Sequence, residues 1–268
     1  MSLKLCTLTG ADDNTLPLSE FKRISEKYPF VEWGILFFPK KFGKPRYPSL
    51  DWIDTFVNYI ALHHPAINTS LHICGIDAIN EFIESNVGLM NLPRFFKRIQ
   101  LNFKQTDIDI EKLKKRTNYF LHEYPDIQII TQHNAVNHDL WQKLSVYKNT
   151  AVLFDSSLGK GESPGTWATP LPFVPCGYAG GLGPGNIEEQ LSLIDKAAMS
   201  QDYWIDMESK LRTLDDHDIS QFRFERGEFV LEKIQAFKEK EKGLLKNQFP
   251  EGDLSLLFSG ANILNDYS

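Results

Sequence analysis

The sequence predicts one (β/α)8 barrel, the TIM-barrel fold, with a C-terminal extension, and three observations support this prediction. Short apolar segments alternate regularly with longer amphipathic segments along the chain. Eight such units fit into about 240 residues, which is the usual size of this barrel. The apolar segments are largely uninterrupted, as expected for parallel strands covered on both faces. An open, doubly wound sheet also alternates in this way, but the size favours the closed barrel.

The eight predicted strands are short apolar runs that end in clusters of turn-forming residues. They span residues 4–8, 30–38, 70–75, 98–103, 127–131, 151–157, 175–181 and 203–207. The helices between them are recognised from apolar residues three or four positions apart. Leu18, Phe21 and Ile24 mark the first helix in this way, and Ser49 is the predicted N-cap of the second.

No linker divides the chain, so we predict a single domain. The barrel is assigned to residues 1–242, which end with a long charged helix. Residues 243–268 form the extension, and the apolar run Leu-Ser-Leu-Leu-Phe within it is expected to pack on the barrel.

The amino-acid composition and net charge argue against some classes of function. A hydrophobic share of 42% and a charged share of 24% are ordinary for a globular protein. The net charge of −6 argues against nucleic acid as a partner. No apolar run approaches the roughly 20 residues that cross a bilayer, and MSLKLCTLTG does not resemble a secretory signal. We therefore expect a cytoplasmic protein without a membrane partner.

The three cysteines, Cys6, Cys74 and Cys176, lie far apart and form no cluster with histidine. Neither a disulfide framework nor a metal site is expected from this spacing, and no cofactor is expected.

Barrels of this kind build their active sites from the carboxyl ends of the strands and the loops that follow. Polar or reactive residues at these predicted strand ends are therefore the candidates for catalysis and substrate binding. They are Cys6, Arg46, Cys74, Gln100, Asn102, Gln132, His133, Asp155, Gly180, Gly181, Glu208 and Ser209. Cys74 is expected to pack rather than to line the site.

The stretch GYAGGLGPGNI, residues 177–187, concentrates five glycines ahead of a predicted helix. It has two interpretations. It is a tight turn in which Pro184 and Asn186 open the helix, or it is a loop whose bare backbone binds phosphate. Its place after the seventh strand, where barrels commonly bind phosphate, favours the second interpretation.

Several of these segments resemble the phosphoribosylanthranilate isomerase family of tryptophan biosynthesis. KLCTLT is similar to the family's Lys-x-Cys-Gly-(Leu/Ile)-Thr, and PKKFGKPRYPS is similar to its Pro-Lys-Ser-Pro-Arg-Tyr-(Val)-Ser. AGGLGPGNI resembles Ala-Gly-Gly-Leu-x-Pro-x-Asn-(Val/Ile). The shorter segments IQLN, VLFDSS and WIDMES fall in matching order, so the resemblance covers almost the whole barrel.

The resemblance implies an Amadori rearrangement, an aldose–ketose isomerisation of an N-substituted phosphoribosylamine that needs no metal. Asp155 would be the general acid that opens the sugar ring, and Cys6 the general base that removes the C2 proton. Arg46 would hold the substrate's carboxylate. A thiol can serve as such a base where its pKa falls towards neutrality.

The sequence departs from the family's pattern at three of these motifs. Thr7 replaces a glycine, Asn102 replaces a histidine, and Glu208-Ser209-Lys210 stands where the family has Ser-Ser-Gly. A carboxylate about 4 Å from a phosphate would repel it by roughly 1 kcal/mol or more. These departures predict altered substrate ends around a retained catalytic pair.

Two alternatives remain open. The barrel acts on another phosphosugar or amino sugar, or it is a non-catalytic module that binds a small molecule. In each case we expect a small-molecule ligand and a monomer or homodimer.

Overall fold

The computed structural model of the protein describes residues 3–84, 92–144, 149–155 and 161–248. Its first eight strands are parallel and form a closed barrel in chain order, with β8 pairing with β1. The predicted barrel is therefore confirmed over the open sheet. The strands are β1 Leu3–Thr9, β2 Val31–Phe37, β3 Asn68–Cys74, β4 Arg98–Asn102, β5 Gln128–His133, β6 Thr150–Asp155, β7 Cys176–Ala179 and β8 Tyr203–Met207.

Helices follow the strands and cover the outside of the barrel. Those in the described residues are α1 Ser19–Lys27, α2 Leu50–His63, α3 Gly75–Glu84, α4 Ile110–Glu123, α5 Leu140–Leu144, α6 Ile187–Ala197 and α7 Phe224–Gln248. The predicted N-cap of α2 is confirmed, because the hydroxyl of Ser49 accepts the backbone N–H of Trp52 at 3.2 Å. No helix in this part of the chain is long and apolar enough to cross a bilayer.

Two predicted segments reach outside the described residues. Ser156 and Ser157 of the predicted sixth strand lie there, and so do residues 249–268 of the predicted extension. The last helix, α7, continues to Gln248 rather than ending at residue 242. Packing of the extension on the barrel stays a prediction.

A short antiparallel hairpin follows β8 and was not predicted. Its strands are β9 Arg212–Leu214 and β10 Ser220–Phe222. The carboxylate of Asp215 shapes the turn by accepting the N–H groups of His217 and Ile219 at 2.9 Å. Three-residue strands in a charged segment carry too little apolar pattern for recognition in the sequence.

An aromatic cluster joins the first helices to the last one. The ring of Phe21 on α1 makes edge-on contacts with Trp33 of β2 at 4.7 Å and with Phe224 of α7 at 5.1 Å. Phe56 of α2 lies 5.0 Å from the same ring, and Phe222 lies 6.5 Å from Trp33. Edge-on geometry of this kind adds about 0.5–1.5 kcal/mol per pair to the burial of the rings.

The inside of the barrel is polar on the β1–β4 side. A buried ion pair joins Arg98 Nε to Glu32 Oε2 at 3.2 Å, and Thr7 donates a hydrogen bond to the same carboxylate at 2.8 Å. The guanidinium of Arg98 lies 4.3 Å from the ring centre of Trp204. On the opposite side, Trp204 packs with an apolar group from β5 and β6, namely Ile130, Ala151 and Leu153.

Candidate active site

A cavity of about 470 Å³ opens where the strands end. Its wall includes the last residues of β4, β6, β7 and β8, so it lies at the carboxyl end of the barrel as predicted. Of the predicted site residues, the cavity is lined by Arg46, Gln100, Asn102, Gln132, Asp155, Gly180, Gly181, Glu208 and Ser209.

Cys6 does not join them, and the predicted pairing of its thiol with Asp155 is not formed. Successive side chains of a strand point to opposite faces. Thr7 bonds into the barrel interior, whereas Cys6 lies in register with Val31 and Ile205 and packs with them in the hydrophobic layer under the helices. The side chain of Cys6 is 0% exposed.

The electrostatics of Cys6 also oppose a general-base role. Burial raises the pKa of its thiol well above the ordinary value, and the charges of Asp206 and Glu32 raise it further. A thiol acts as a base only as the thiolate. The expectation that Cys6 is the base is therefore corrected.

Three carboxyl groups line the cavity, namely the predicted Asp155 together with Asp206 and Glu208. Asp155 ends β6 and accepts a hydrogen bond from Gln132 Nε2 at 3.2 Å. Asp206 of β8 is almost buried, and Thr9 donates a hydrogen bond to its Oδ1 at 2.9 Å. Burial raises the pKa of Asp206 well above its ordinary value, and the neighbouring charge of Glu208 adds to this shift.

Glu208, the third carboxyl, forms an ion pair with Arg46 across the mouth of the barrel. Burial raises the pKa of Glu208, an effect that the charge of Arg46 opposes. Arg46 therefore faces the cavity as predicted, but its charge is already paired within the chain. Beside it, Phe38 and Tyr47 form an aromatic wall with ring centres 5.5 Å apart.

A second layer of contacts holds Arg46 in place. Its backbone adopts a left-handed conformation with φ of 70° and donates its N–H to Asp12 Oδ2 at 2.7 Å. The same oxygen accepts Arg212 Nη2 at 2.7 Å, and Arg212 also donates to the carbonyl of Gly10. Left-handed backbone is costly for a residue with a side chain, so this buried anchor fixes a position that the chain would not otherwise favour.

Polar side chains from β3 and β4 form the opposite wall. Gln100 Nε2 donates to Asn102 Oδ1 at 3.0 Å, and Asn102 Nδ2 lies 3.5 Å from the sulfur of Cys74. Burial raises the pKa of Cys74 to about 12 and lowers that of His72 to about 3. Both groups are therefore uncharged near neutral pH.

Gly180 and Gly181 follow β7 and line the cavity. Gly181 has φ of 57°, and a Cβ added there would lie 2.5 Å from the backbone nitrogen of Ser163. These glycines thus allow the loop after β6 to pack against the loop after β7. Asn186 completes the turn by accepting the N–H of Gly183 at 3.0 Å and donating to the carbonyl of Gly181 at 2.9 Å. Both sequence interpretations remain open, since the turn and the cavity share these residues.

Asp206 and His72 line the cavity but were not among the residues predicted from the sequence, and Cys74, which was expected to pack, lines it as well. The signal for His72 and Cys74 was the alternation in SLHIC, where every second residue is polar or small, and Asp206 is the one charged residue of YWIDM. In the described residues no three His, Cys, Asp or Glu side chains are grouped so that they could hold a metal ion.

Closed topology and a polar cavity at the carboxyl ends of the strands define the chain as a (β/α)8 barrel. No protein-family model matches it, and no curated protein matches it. Solved structures that are similar to this chain have low sequence identity with it. The 3-hexulose-6-phosphate synthase from Salmonella typhimurium is 11% identical with a TM-score of 0.50, covering 87% of this chain and 99% of its own.

A structure described as native KDPGal is 13% identical with a TM-score of 0.51 and covers 90% of this chain and 98% of its own. A designed, cube-shaped porous protein cage is 12% identical with a TM-score of 0.51, covering 97% and 82%. At these identities the similarity establishes the fold alone.

Proposed function

We propose that the protein is an enzyme that moves protons on a small, anionic, sugar-like substrate. An aldose–ketose isomerisation of an N-substituted ribosylamine or phosphoribosylamine is the reaction we favour. The observation that carries this proposal is the convergence of three carboxyl groups and Arg46 in one cavity. Such a reaction needs one group that gives a proton and another that takes one, with different proton affinities.

Asp155 and Asp206 are the proposed pair. Asp155, at the end of β6, keeps the role of the acid that protonates the ring oxygen, so the ring carbon–oxygen bond breaks and an iminium ion forms. Asp206 takes the place of Cys6 as the base that removes the C2 proton. A carboxyl takes a proton only in its ionised form, so this step proceeds from ionised Asp206. Once ionised, a carboxyl whose pKa is raised by burial is a stronger base than an ordinary one.

The wall around Arg46 supports a substrate with an aromatic acid at one end. Phe38 and Tyr47 offer ring faces and edges, and Arg46 offers a cation beside them. The amides of Gln100 and Asn102 suit sugar hydroxyl groups on the other side. N-(5-phosphoribosyl)anthranilate has these features, so tryptophan biosynthesis is the pathway we propose to test first.

The test is turnover of N-(5-phosphoribosyl)anthranilate by the purified protein, followed by loss of its fluorescence. We expect Asp155→Asn and Asp206→Asn each to lower kcat by about 10²–10⁴, because each removes a proton-transfer group. Cys6→Ala is the matched control and should retain activity.

The same variants can be tested for growth rescue of a tryptophan auxotroph that lacks the isomerase. Absence of turnover, together with binding of ribose 5-phosphate, would favour another phosphosugar or amino sugar. Unchanged kcat in both aspartate variants would reject the catalytic proposal and favour a binding module.

A further inference from the structure

We infer that Glu208 occupies the position of the substrate's anionic group, so that an anionic ligand binds Arg46 by displacing Glu208 and drawing a proton onto it. The inference rests on the proposed function in assuming that this cavity receives the substrate. It makes Glu208 a residue that determines specificity, and it assigns the ligand class: a molecule with a strong, fully ionised acid group beside an aromatic or apolar body.

The first observation is that the ion pair is built into the fold. Gly10, with φ of 101°, has no side chain where Glu208 packs, and a Cβ there would lie 3.2 Å from Glu208 Cγ. Arg212 lies against the same glycine. The backbone of Arg46 is tied to Asp12 from the other side. Both partners are therefore held in place by residues outside the cavity.

The second observation is that the pair leaves binding capacity unused. Arg46 Nε is buried and has no hydrogen-bond partner within the described ranges. A guanidinium can bind an anion through two parallel N–H groups, and Glu208 contacts Nη2 while Nε stays unused. A planar or tetrahedral anion that used both Nε and Nη2 would bind better than the resident carboxylate.

The third observation concerns what happens to Glu208 once it is displaced. The groups facing it are Arg46 from the loop after β2, Arg212 from β9, Asp155 from β6, Asp206 from β8 and Cys74 from β3. Arg212 is already paired with Asp12 at 2.7 Å. Without Arg46, Glu208 faces two other carboxyl groups and a thiol in a partly closed cavity.

Proton uptake follows from this environment. Burial and the charge of Asp155 already raise the pKa of Glu208, whereas the ion pair with Arg46 opposes the rise. Loss of that pair removes the larger opposing effect and leaves the smaller one of Arg212, which is itself paired with Asp12, so Glu208 takes a proton from solvent as the ligand anion enters. The step balances: the Arg46–Glu208 ion pair breaks, an Arg46–ligand ion pair forms, and one proton is bound.

Benzenesulfonate is a suitable probe because it is aromatic and stays ionised at every pH at which the protein is folded. Its affinity for the wild-type protein, measured by calorimetry, should weaken as pH rises from about 6 to 8, by up to about tenfold per pH unit for one proton taken up. Repeating the titration in buffers of different ionisation heat counts that proton directly. Benzamide, the neutral counterpart, should bind weakly and without this dependence.

Glu208→Gln should bind benzenesulfonate about tenfold more tightly than the wild type at pH near 8, with little dependence on pH. Asp107→Asn is the matched control, since Asp107 also lines the cavity but bonds to Thr106 at 3.0 Å rather than to Arg46. That control should behave like the wild type. Unfolding curves of both variants establish that each is folded.

The inference is overturned if Glu208→Gln binds no more tightly, if it keeps the wild-type pH dependence, or if neither protein binds benzenesulfonate. Equal binding of benzamide would also overturn it. These results are separate from turnover. Tighter, pH-independent binding by Glu208→Gln in a protein without isomerase activity would reject the proposed function and keep the inference. Turnover of the substrate, with no change in benzenesulfonate binding on Glu208→Gln, would reject the inference and keep the proposed function.

Discussion

Replacing Cys6 with alanine and with serine distinguishes a catalytic thiol from a packing thiol. Cys6 is fully buried in the layer between barrel and helices. Alanine removes one sulfur atom from that layer, which should lower the free energy of unfolding by about 1–2 kcal/mol through lost burial and a small cavity. Serine keeps the volume but places a hydroxyl among apolar groups, which costs about 1–3 kcal/mol when the hydroxyl lacks a partner.

We therefore expect Cys6→Ser to be at least as unstable as Cys6→Ala, although serine is closer to cysteine in size. Urea unfolding followed by tryptophan fluorescence measures both values. In the proposed isomerase assay, kcat should stay within about twofold of wild type for both variants, whereas loss of a general base costs about 10²–10⁴. Variants of wild-type stability with a hundredfold lower kcat would contradict the structural assignment and restore Cys6 as the base.

Three further predictions concern stability. Gly181→Ala should lower the free energy of unfolding by about 1–3 kcal/mol because its φ and the nearby Ser163 backbone both exclude a side chain; Gly185→Ala, where a Cβ meets nothing within 4 Å, should be close to neutral in the same urea titration. Arg98→Met should lower the free energy of unfolding by about 3–5 kcal/mol, because it leaves Glu32 buried without its partner. Adding Glu32→Gln should recover part of that loss, and equal unfolding curves for the single and double variants would contradict this. Asp206→Asn should stabilise the protein at pH 8. Because the pKa of Asp206 is higher in the folded than in the unfolded protein, its carboxyl destabilises the fold increasingly as pH rises from the unfolded-state pKa through the folded-state pKa. That gain should vanish in unfolding curves measured near pH 4, and a gain that is constant with pH would contradict the assignment.

The barrel was predictable because its strands are short apolar runs at regular intervals, and each predicted run overlaps an observed strand. The facing of each side chain was harder to predict. In KLCTLT a cysteine stands beside two threonines, and the cysteine looked like the reactive group. The structure turns the threonines inward, because the interior of this barrel is polar near β1 and the layer under the helices is apolar.

The alternation in other strands carried the missing information. His72 and Cys74 alternate with apolar residues on β3, and Asp206 lies between two apolar residues on β8. Had those strands been used to decide which face is polar, Cys6 would have been placed outside together with Leu8. The Arg46–Glu208 pair was beyond prediction, since it depends on two loops meeting across the barrel mouth.

The ring cluster around Phe21 has a consequence for how the chain reaches its native state. Phe222 and Phe224 complete a set of contacts whose other members come from α1, β2 and α2. During synthesis the cluster therefore cannot be completed until almost the whole polypeptide has emerged. Until then, one side of the Trp33 ring stays exposed to solvent. Native indole emission from Trp33 thus signals that the two ends of the chain have come together.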